Sequence, residues 1–176
     1  MVWIERYLPD ANSSLKTRYK AMCCLIDDSL DRIREISAGL RPGILDDMGL
    51  TATIEWYTSE FQRRSGVECI VLLDLPEKRL QDHIETGIYR IVQEALTNVA
   101  RHAKASVVTV QIKEDAGTIF LQIADNGTGI DAAKVQSPLS TGISGIQERA
   151  EILSATLQIK GIPGKGTQIN LRIPAR

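Results

Sequence analysis

The chain has 176 residues, of which 43% are hydrophobic and 24% charged, and its formal net charge is −1. This composition predicts one packed domain with a small appendage and excludes extensive disorder. A charge near zero argues against direct nucleic-acid binding, and no apolar run is long enough to cross a bilayer, so we expect no membrane contact by this chain. The three cysteines, Cys23, Cys24 and Cys69, form no CxxC pair, which predicts reduced thiols and a cytoplasmic location.

The first predicted element is a long helix from Leu15 to Leu40. Its apolar residues recur at helical spacing along one narrow stripe, namely Leu15, Tyr19, Met22, Ile26, Ile33, Ile36 and Leu40. A stripe this narrow favours a partner helix in a pair or bundle, and a long surface helix of a single domain is the alternative. Gly39, Pro42 and Gly43 predict the end of this helix. We therefore treat Ala11–Arg41 as one unit.

The remaining residues predict a sheet with helices. The predicted elements are a helix from about Leu50 to Arg64, a strand from Val67 to Leu73, a helix from Gln81 to His102, strands around 108–112, 119–123, 157–159 and 169–173, and a short helix from Ser144 to Leu153. Several strands alternate apolar and polar residues, which is typical of a half-buried sheet. The predicted fold class is α+β, with a mixed, largely antiparallel sheet covered on one face by helices.

The first candidate motif lies on the predicted helix Gln81–His102. Glu94, Asn98 and His102 are four residues apart, a spacing that stacks side chains along one face of a helix. A carboxylate and an amide oxygen are hard ligands that suit Mg²⁺. The alternative is an ordinary solvated helix face, which this motif alone does not exclude.

The second candidate motif runs from Asp125 to Ile130, directly after a predicted strand. Gly127 and Gly129 allow backbone to approach a flat ligand closely, and Asp125 could accept a hydrogen bond from an exocyclic amine. A plain tight turn is the alternative. The spacing to Ala132 also fits a dinucleotide fingerprint, but a helix must follow that motif immediately, and the polar stretch 131–141 does not predict one.

The third candidate motif, Thr141 to Ile146, opens a short helix. Glycines at a helix start expose free N–H groups that bind phosphate, and a plain N-cap is the alternative.

The fourth candidate motif, Gly164-Lys165-Gly166-Thr167, opens the last strand. It lacks the spacing of a P-loop, and a strand follows it where a P-loop has a helix. A hairpin turn is the alternative.

Taken in order, the four motifs resemble the boxes of the GHKL superfamily of ATP-binding domains, which includes histidine kinases, type II topoisomerases, Hsp90 and MutL-type proteins. The resemblance covers roughly Leu80 to Pro174, from the N box through the G1 and G2 boxes to the last glycine box. It implies the Bergerat ATP-binding fold and Mg²⁺-dependent binding of ATP.

The upstream sequence resembles one branch of this superfamily. Leu40 to Leu50 is similar to the segment that joins the dimerisation helices to the ATPase domain in NarL/DesK-type sensor kinases. The resemblance implies that 1–41 is a remnant of a helical dimerisation and phosphotransfer hairpin, that 42–66 holds the connecting segment and first helix, and that 67–176 is the catalytic domain. Ile130 to Ser140 would be a short ATP lid, without a separate phenylalanine-bearing box.

The resemblance also implies a role for each site residue. Glu94 would polarise the attacking imidazole, Asn98 would bind Mg²⁺, and Asp125 with Thr167 would hold adenine. The residues expected to contact the nucleotide are Asn98, His102, Lys104, Asp125, Gly127, Gly129, Ile130, Gly142, Ile143, Gly145, Gly166 and Thr167.

The phosphate-accepting histidine of that family does not match either histidine of this chain. His102 falls in the N box, and His83 begins the same helix without a following acidic residue. We therefore expect the acceptor upstream of Met1, in a longer parent protein that could be anchored in the inner membrane. The resemblance implies as partners the upstream dimerisation helix, a second copy of the parent, and a response regulator with a NarL-type DNA-binding domain.

Three alternatives remain open from the sequence. An ATP-hydrolysing protein of the topoisomerase or MutL kind would carry further domains after the ATP site. A dimerising adaptor with a vestigial nucleotide pocket is disfavoured by the intact glycines and Asp125. An anti-sigma serine kinase shares the ATP boxes but lacks the long helix with the narrow apolar stripe.

Overall fold

The computed structural model describes residues 43–76, 78–130 and 141–175. The predicted helix Leu15–Leu40 and the predicted lid after Ile130 lie outside these residues. In chain order the elements are helix α1 (Gly43–Ser65), strand β1 (Glu68–Asp74), helix α2 (Asp82–Asn98), a π-helical turn (Val99–Ala103), strands β2 (Val107–Asp115) and β3 (Thr118–Asp125), helix α3 (Thr141–Ile152), and strands β4 (Thr156–Ile162) and β5 (Gly166–Pro174).

The strands form one sheet in the order β1-β2-β3-β5-β4. β1 pairs with β2 in parallel, and the other three pairs are antiparallel. The parallel pair is connected through α2, as a parallel connection requires a crossover. The prediction of a mixed, largely antiparallel sheet with helices is confirmed, and all five predicted strands are present.

The core lies between one face of the sheet and the helices. Buried β2 and β3 side chains face it from the sheet, including Val110 and Leu121. The apolar residues at helical spacing along the predicted helix Gln81–His102 are buried, namely Ile84, Ile88, Ile91, Val92, Ala95, Leu96 and Val99. α3 packs closely on α2, since a Cβ added at Gly87 would lie 2.7 Å from a methyl carbon of Leu153. Apolar periodicity therefore identified the buried face of α2 correctly.

The predicted start of the second helix at about Leu50 coincides with a bend in α1, but the helical segment before the bend was not predicted. α1 begins at Gly43 and consists of two helical segments that meet at Gly49, where φ is 76° and ψ is 175°. Glycine adopts this left-handed region without the Cβ clash that other residues meet. The Thr53 hydroxyl donates to the carbonyl of Gly49 at 2.6 Å and reinforces the bend.

The boundaries of two other helices also differ from prediction. α2 ends at Asn98, and the predicted helical residues beyond it form the π-helical turn, so the ideal four-residue spacing from Asn98 to His102 is not kept. α3 begins at Thr141, three residues before the predicted start at Ser144. Gly142 and Ile143 therefore belong to the first turn of α3, where helix N–H groups lack intrahelical partners.

The opposite face of the sheet is mostly polar, although Ile70 and Leu72 of β1 are exposed on it. Its side chains form a shallow groove of about 710 Å³ whose lining includes Gln111, Phe120, Gln122 and Asn170. Within the described ranges, no helix is long and apolar enough to cross a membrane.

Candidate functional site

The first and third motifs meet where α2 packs against the start of α3. Glu94 and Asn98 lie one turn apart on α2, and both are partly buried. A Cβ added at Gly142 would lie 2.5 Å from Asn98 Oδ1 and 2.7 Å from Glu94 Oε1. Glycine therefore lets the backbone at the start of α3 approach the carboxylate and the amide. The structure brings these three predicted residues together.

The second motif is a turn held by its own side chains. Asp125 Oδ1 accepts a hydrogen bond from the Gly127 N–H at 2.8 Å. A carboxylate has further acceptor sites, so this bond leaves Asp125 able to accept from a ligand amine. Asn126 Oδ1 accepts from the N–H groups of Ser106 and Val107 at 2.9 and 3.0 Å. Asn126 thus fixes the turn to the start of β2, a role that sequence reasoning missed because its partners lie 19 and 20 positions earlier in the chain.

The π-helical turn connects the first motif to the second. The Thr128 N–H donates to the carbonyl of Ala103 at 2.7 Å. A Cβ at Gly127 would overlap this same carbonyl group. π-helical turns occur frequently at functional sites, and this one directly follows Asn98. The sequence contained no pattern that predicted it.

The fourth motif packs against the second through backbone contacts. The Gly164 N–H donates to the carbonyl of Thr128 at 2.7 Å. Gly166 has a φ of 89°, and a Cβ there would overlap the carbonyl of Asp125. Gly129 has a φ of 72° and lies equally close to the carbonyl of Ile162. The second and fourth motifs therefore form one joined surface at the end of the sheet.

The remaining predicted residues lie around these contacts with different exposure. Ile130 packs on Gly161, a glycine that sequence reasoning missed, and Thr167 pairs with Gly161 across β4 and β5. His102 and Lys104 are exposed in the π-helical turn and just after it. Ile143 and Gly145 lie in the first turns of α3 and are partly buried.

The groove on the open sheet face does not contain any of the predicted site residues. The site is therefore identified by the convergence of glycines and polar side chains, and the volume of the groove has no bearing on it.

The family comparison agrees with this convergence. The model of the histidine kinase-, DNA gyrase B- and HSP90-like ATPases matches residues 83–176, which is more than half of the chain. The chain belongs to this ATPase family. The family name implies ATP binding. All four motifs lie within the matched residues.

Two curated relatives are histidine kinases by name. The chain is 33% identical over 153 residues to the oxygen sensor histidine kinase NreB of Staphylococcus carnosus, covering 87% of this chain and 43% of that protein. It is 36% identical over 150 residues to the histidine-protein kinase/phosphatase DegS of Brevibacillus brevis, covering 85% of this chain and 39% of that protein. The resemblance to sensor histidine kinases is confirmed, and the chain spans less than half the length of these relatives.

Solved structures show the same fold at low sequence identity. The histidine kinase domain of the Erythrobacter litoralis EL346 blue-light activated histidine kinase aligns with a TM-score of 0.60 and 23% identity, covering 72% of this chain and 61% of that chain. The Acinetobacter baumannii histidine kinase AdeS aligns with a TM-score of 0.62 and 15% identity, covering 96% of this chain and 87% of that chain.

Proposed function

We propose that this chain is the ATP-binding catalytic part of a sensor histidine kinase, which transfers the γ-phosphoryl group of ATP to a histidine elsewhere in its parent protein. The observation that carries the proposal is the packing of the start of α3 on Glu94 and Asn98, with Gly142 in contact with both. It supports the proposal because Glu94 and Asn98, which we propose as base and metal ligand, lie beside helix N–H groups of the kind that bind phosphate. The names of the two sensor kinase relatives support the reaction class.

The residues of the site fit ATP and Mg²⁺ by their chemistry. The Asp125 carboxylate accepts hydrogen bonds and suits the adenine amine, and we propose Thr167 as a second contact. Gly127, Gly129 and Gly166 let the backbone segments around Asp125 pack against one another, and we propose that these segments line the adenine ring. The Asn98 amide oxygen suits Mg²⁺, which uses few protein ligands and keeps waters. When bound, Mg²⁺ supplies charge neutralisation at the phosphates.

The chain's own groups then position and polarise the reactants. The first turn of α3, with Gly142, Ile143 and Gly145, offers N–H groups to phosphate oxygens, and His102 and Lys104 add exposed donors after Asn98. Glu94 accepts the imidazole proton and so orients the attacking nitrogen. Catalysis of phosphoryl transfer is mostly positioning and electrostatic stabilisation, which this set of residues supplies.

The partners follow from the same proposal. The parent protein acts as a homodimer through its upstream dimerisation helices and passes the phosphoryl group to a response regulator, which we propose to be of the NarL type. We propose a cytoplasmic location for the chain.

The experiment supplies radiolabelled ATP and Mg²⁺ to this chain, alone and with a separate fragment that carries the parent's acceptor helix. We expect label on the fragment and none on this chain, because His83 and His102 belong to the site's own helix and the turn after it. Acid-labile phosphate on either histidine would contradict the proposal. Release of inorganic phosphate without any labelled fragment would favour an ATP-hydrolysing protein, and failure to bind ATP would favour a dimerising adaptor.

Two variants separate the roles of the carboxylates. Asp125→Asn keeps an oxygen for the Gly127 N–H but loses the charge, and it should weaken ATP binding by roughly 1.5–3 kcal/mol in calorimetry. Glu94→Gln should slow transfer while leaving ATP affinity unchanged. Glu148→Gln, at an exposed position of α3, is the matched control and should change neither quantity. Equal ATP affinity of Asp125→Asn and the unmodified chain would exclude the adenine role.

A further inference from the structure

An ion pair lies beside the connecting segment and away from the four motifs. Arg79, in the connection between β1 and α2, donates from Nε and Nη2 to the two carboxylate oxygens of Glu85 at 3.1 and 3.0 Å. The Glu85 side chain is only 2% exposed, whereas that of Arg79 is 47% exposed. Two parallel bonds of this kind fix the orientation of a guanidinium.

The same guanidinium also binds the connecting segment. Arg79 Nη2 donates to the carbonyl of Leu45, and Nη1 donates to the carbonyl of Asp46 at 3.3 Å. These carbonyls belong to the last turn of the first helical segment of α1, which ends where the chain bends at Gly49. A cation at the C-terminal end of a helical segment also interacts favourably with its dipole. Gly49 lies directly under the arginine, since a Cβ there would be 3.6 Å from Arg79 Cδ.

The ion pair of Arg79 and Glu85, with the bonds from Arg79 to the connecting segment, is called the clamp below. Its position along α2 has a consequence for the reaction. Glu85 and Glu94 lie on this one helix, roughly 14 Å apart along its axis at 1.5 Å per residue. Residues 43–48 are the stretch of chain through which any upstream element is joined to the domain. Arg79 therefore connects that stretch to the helix that carries Glu94 and Asn98.

Stability alone is a poor explanation for this arrangement. A buried ion pair contributes little net stability compared with apolar residues of the same volume, because desolvation of the charges offsets their attraction. Leu45 and Leu50 are already buried on either side of the bend and supply apolar anchoring. The pair adds an orientation of the segment that apolar contacts do not impose, because hydrogen bonds are directional.

We propose that Arg79 is a positioning residue, which with Glu85 holds the segment Gly43–Met48 in a fixed orientation relative to α2. It thereby sets where an acceptor joined through this segment meets Glu94. The consequence for transfer rests on the function proposed above, whereas the fixed orientation of the segment does not.

The first experiment measures hydrogen exchange of backbone amides in this chain and in Arg79→Gln. We expect amides of residues 47–50 to exchange roughly tenfold faster or more in the variant, because hydrogen bonds of a charged group are lost locally. Amides on the inner face of α2 should keep their protection, and ATP affinity should be unchanged. The matched control is Arg63→Gln, since Arg63 forms an exposed ion pair with Glu60 on the second segment of α1.

A second variant covers the case in which Arg79→Gln leaves Glu85 uncompensated and unfolds the domain. The double variant Arg79→Gln with Glu85→Gln removes both charges and keeps the side-chain sizes. We expect it to fold with fast exchange confined to 47–50. Wild-type protection of 47–50 in a folded variant would overturn the proposal, and so would loss of α2 protection in the double variant.

The second experiment compares transfer to an acceptor in two arrangements. In the protein whose acceptor region is continuous with this chain, Arg79→Gln should lower the transfer rate at saturating ATP roughly tenfold, as a misplaced nucleophile does. With the acceptor on a separate fragment, the same variant should react at the unmodified rate. Equal losses in both arrangements would overturn the positioning role. Absence of transfer in both unmodified proteins would instead count against the proposed function, and hydrogen exchange would still test the clamp.

Discussion

The site formed by the four motifs and the open face of the sheet are built differently. Backbone forms most of the site, whereas side chains form the open face. At the site, added Cβ atoms at Gly127, Gly142 and Gly166 would collide with backbone or with polar side-chain atoms. On the open face, Lys113 Nζ lies 5.3 Å from the Phe120 ring centroid, and Arg172 stacks on the same ring. These positions of the site therefore require glycine, whereas the open face carries long side chains that can change conformation.

This difference explains why one region was readable from sequence and the other was not. A glycine that must lie against another backbone has no substitute of equal size, so its spacing forms a pattern. Long polar side chains on a solvated sheet can be exchanged with little energetic effect, so their identity indicates no function.

The contrast between the site and the open sheet face is tested most strongly at Gly166. Gly166→Ala should destabilise the domain by roughly 3–5 kcal/mol, because it adds left-handed strain to a collision with the Asp125 carbonyl. Gly164→Ala is the matched control, since its φ is 77° but nothing lies within 4 Å of its Cβ position. That control should cost only roughly 1–2 kcal/mol. Urea denaturation measures both, and equal losses would show that the close backbone contact is unimportant.

A substitution at Gly142 should separate binding from stability. The atoms that an alanine Cβ would meet are side-chain atoms of Asn98 and Glu94, which can move aside. We expect Gly142→Ala to keep the domain folded but to weaken Mg²⁺-dependent ATP binding roughly tenfold, as loss of one charge-assisted interaction does. Gly43→Ala, with nothing within 4 Å, should leave ATP binding unchanged. Calorimetry with and without Mg²⁺ decides, and unaltered binding by Gly142→Ala would contradict the site.

The smallest effect is expected on the open face. Lys113→Gln removes one cation from the Phe120 ring, which is worth roughly 0.5–1 kcal/mol at an exposed position. ATP affinity should be the same as in the unmodified chain. A large change in affinity, measured by the same calorimetry, would mean that the two faces are coupled and that the contrast drawn between them is wrong.

Much of the fold was predictable because burial repeats with the period of each element. The inner face of α2 and the alternating residues of β2 and β3 were identified by that period alone. The bend at Gly49 and the π-helical turn were not, because both depend on contacts with distant parts of the chain. Gly49 lies under Arg79, thirty positions later, and the turn after Asn98 is held by the N–H of Thr128.

By itself, the sequence determined the family, the four motifs and their order, since glycine spacing and apolar periodicity are local properties. Only the tertiary structure decided which motifs touch, that Gly142 lies against Glu94 and Asn98, and that Gly166 lies against Asp125. It also decided that Arg79 joins Glu85 to the carbonyls of Leu45 and Asp46. Such contacts join residues far apart in the chain, and their geometry arises only when the sheet and helices pack around one core.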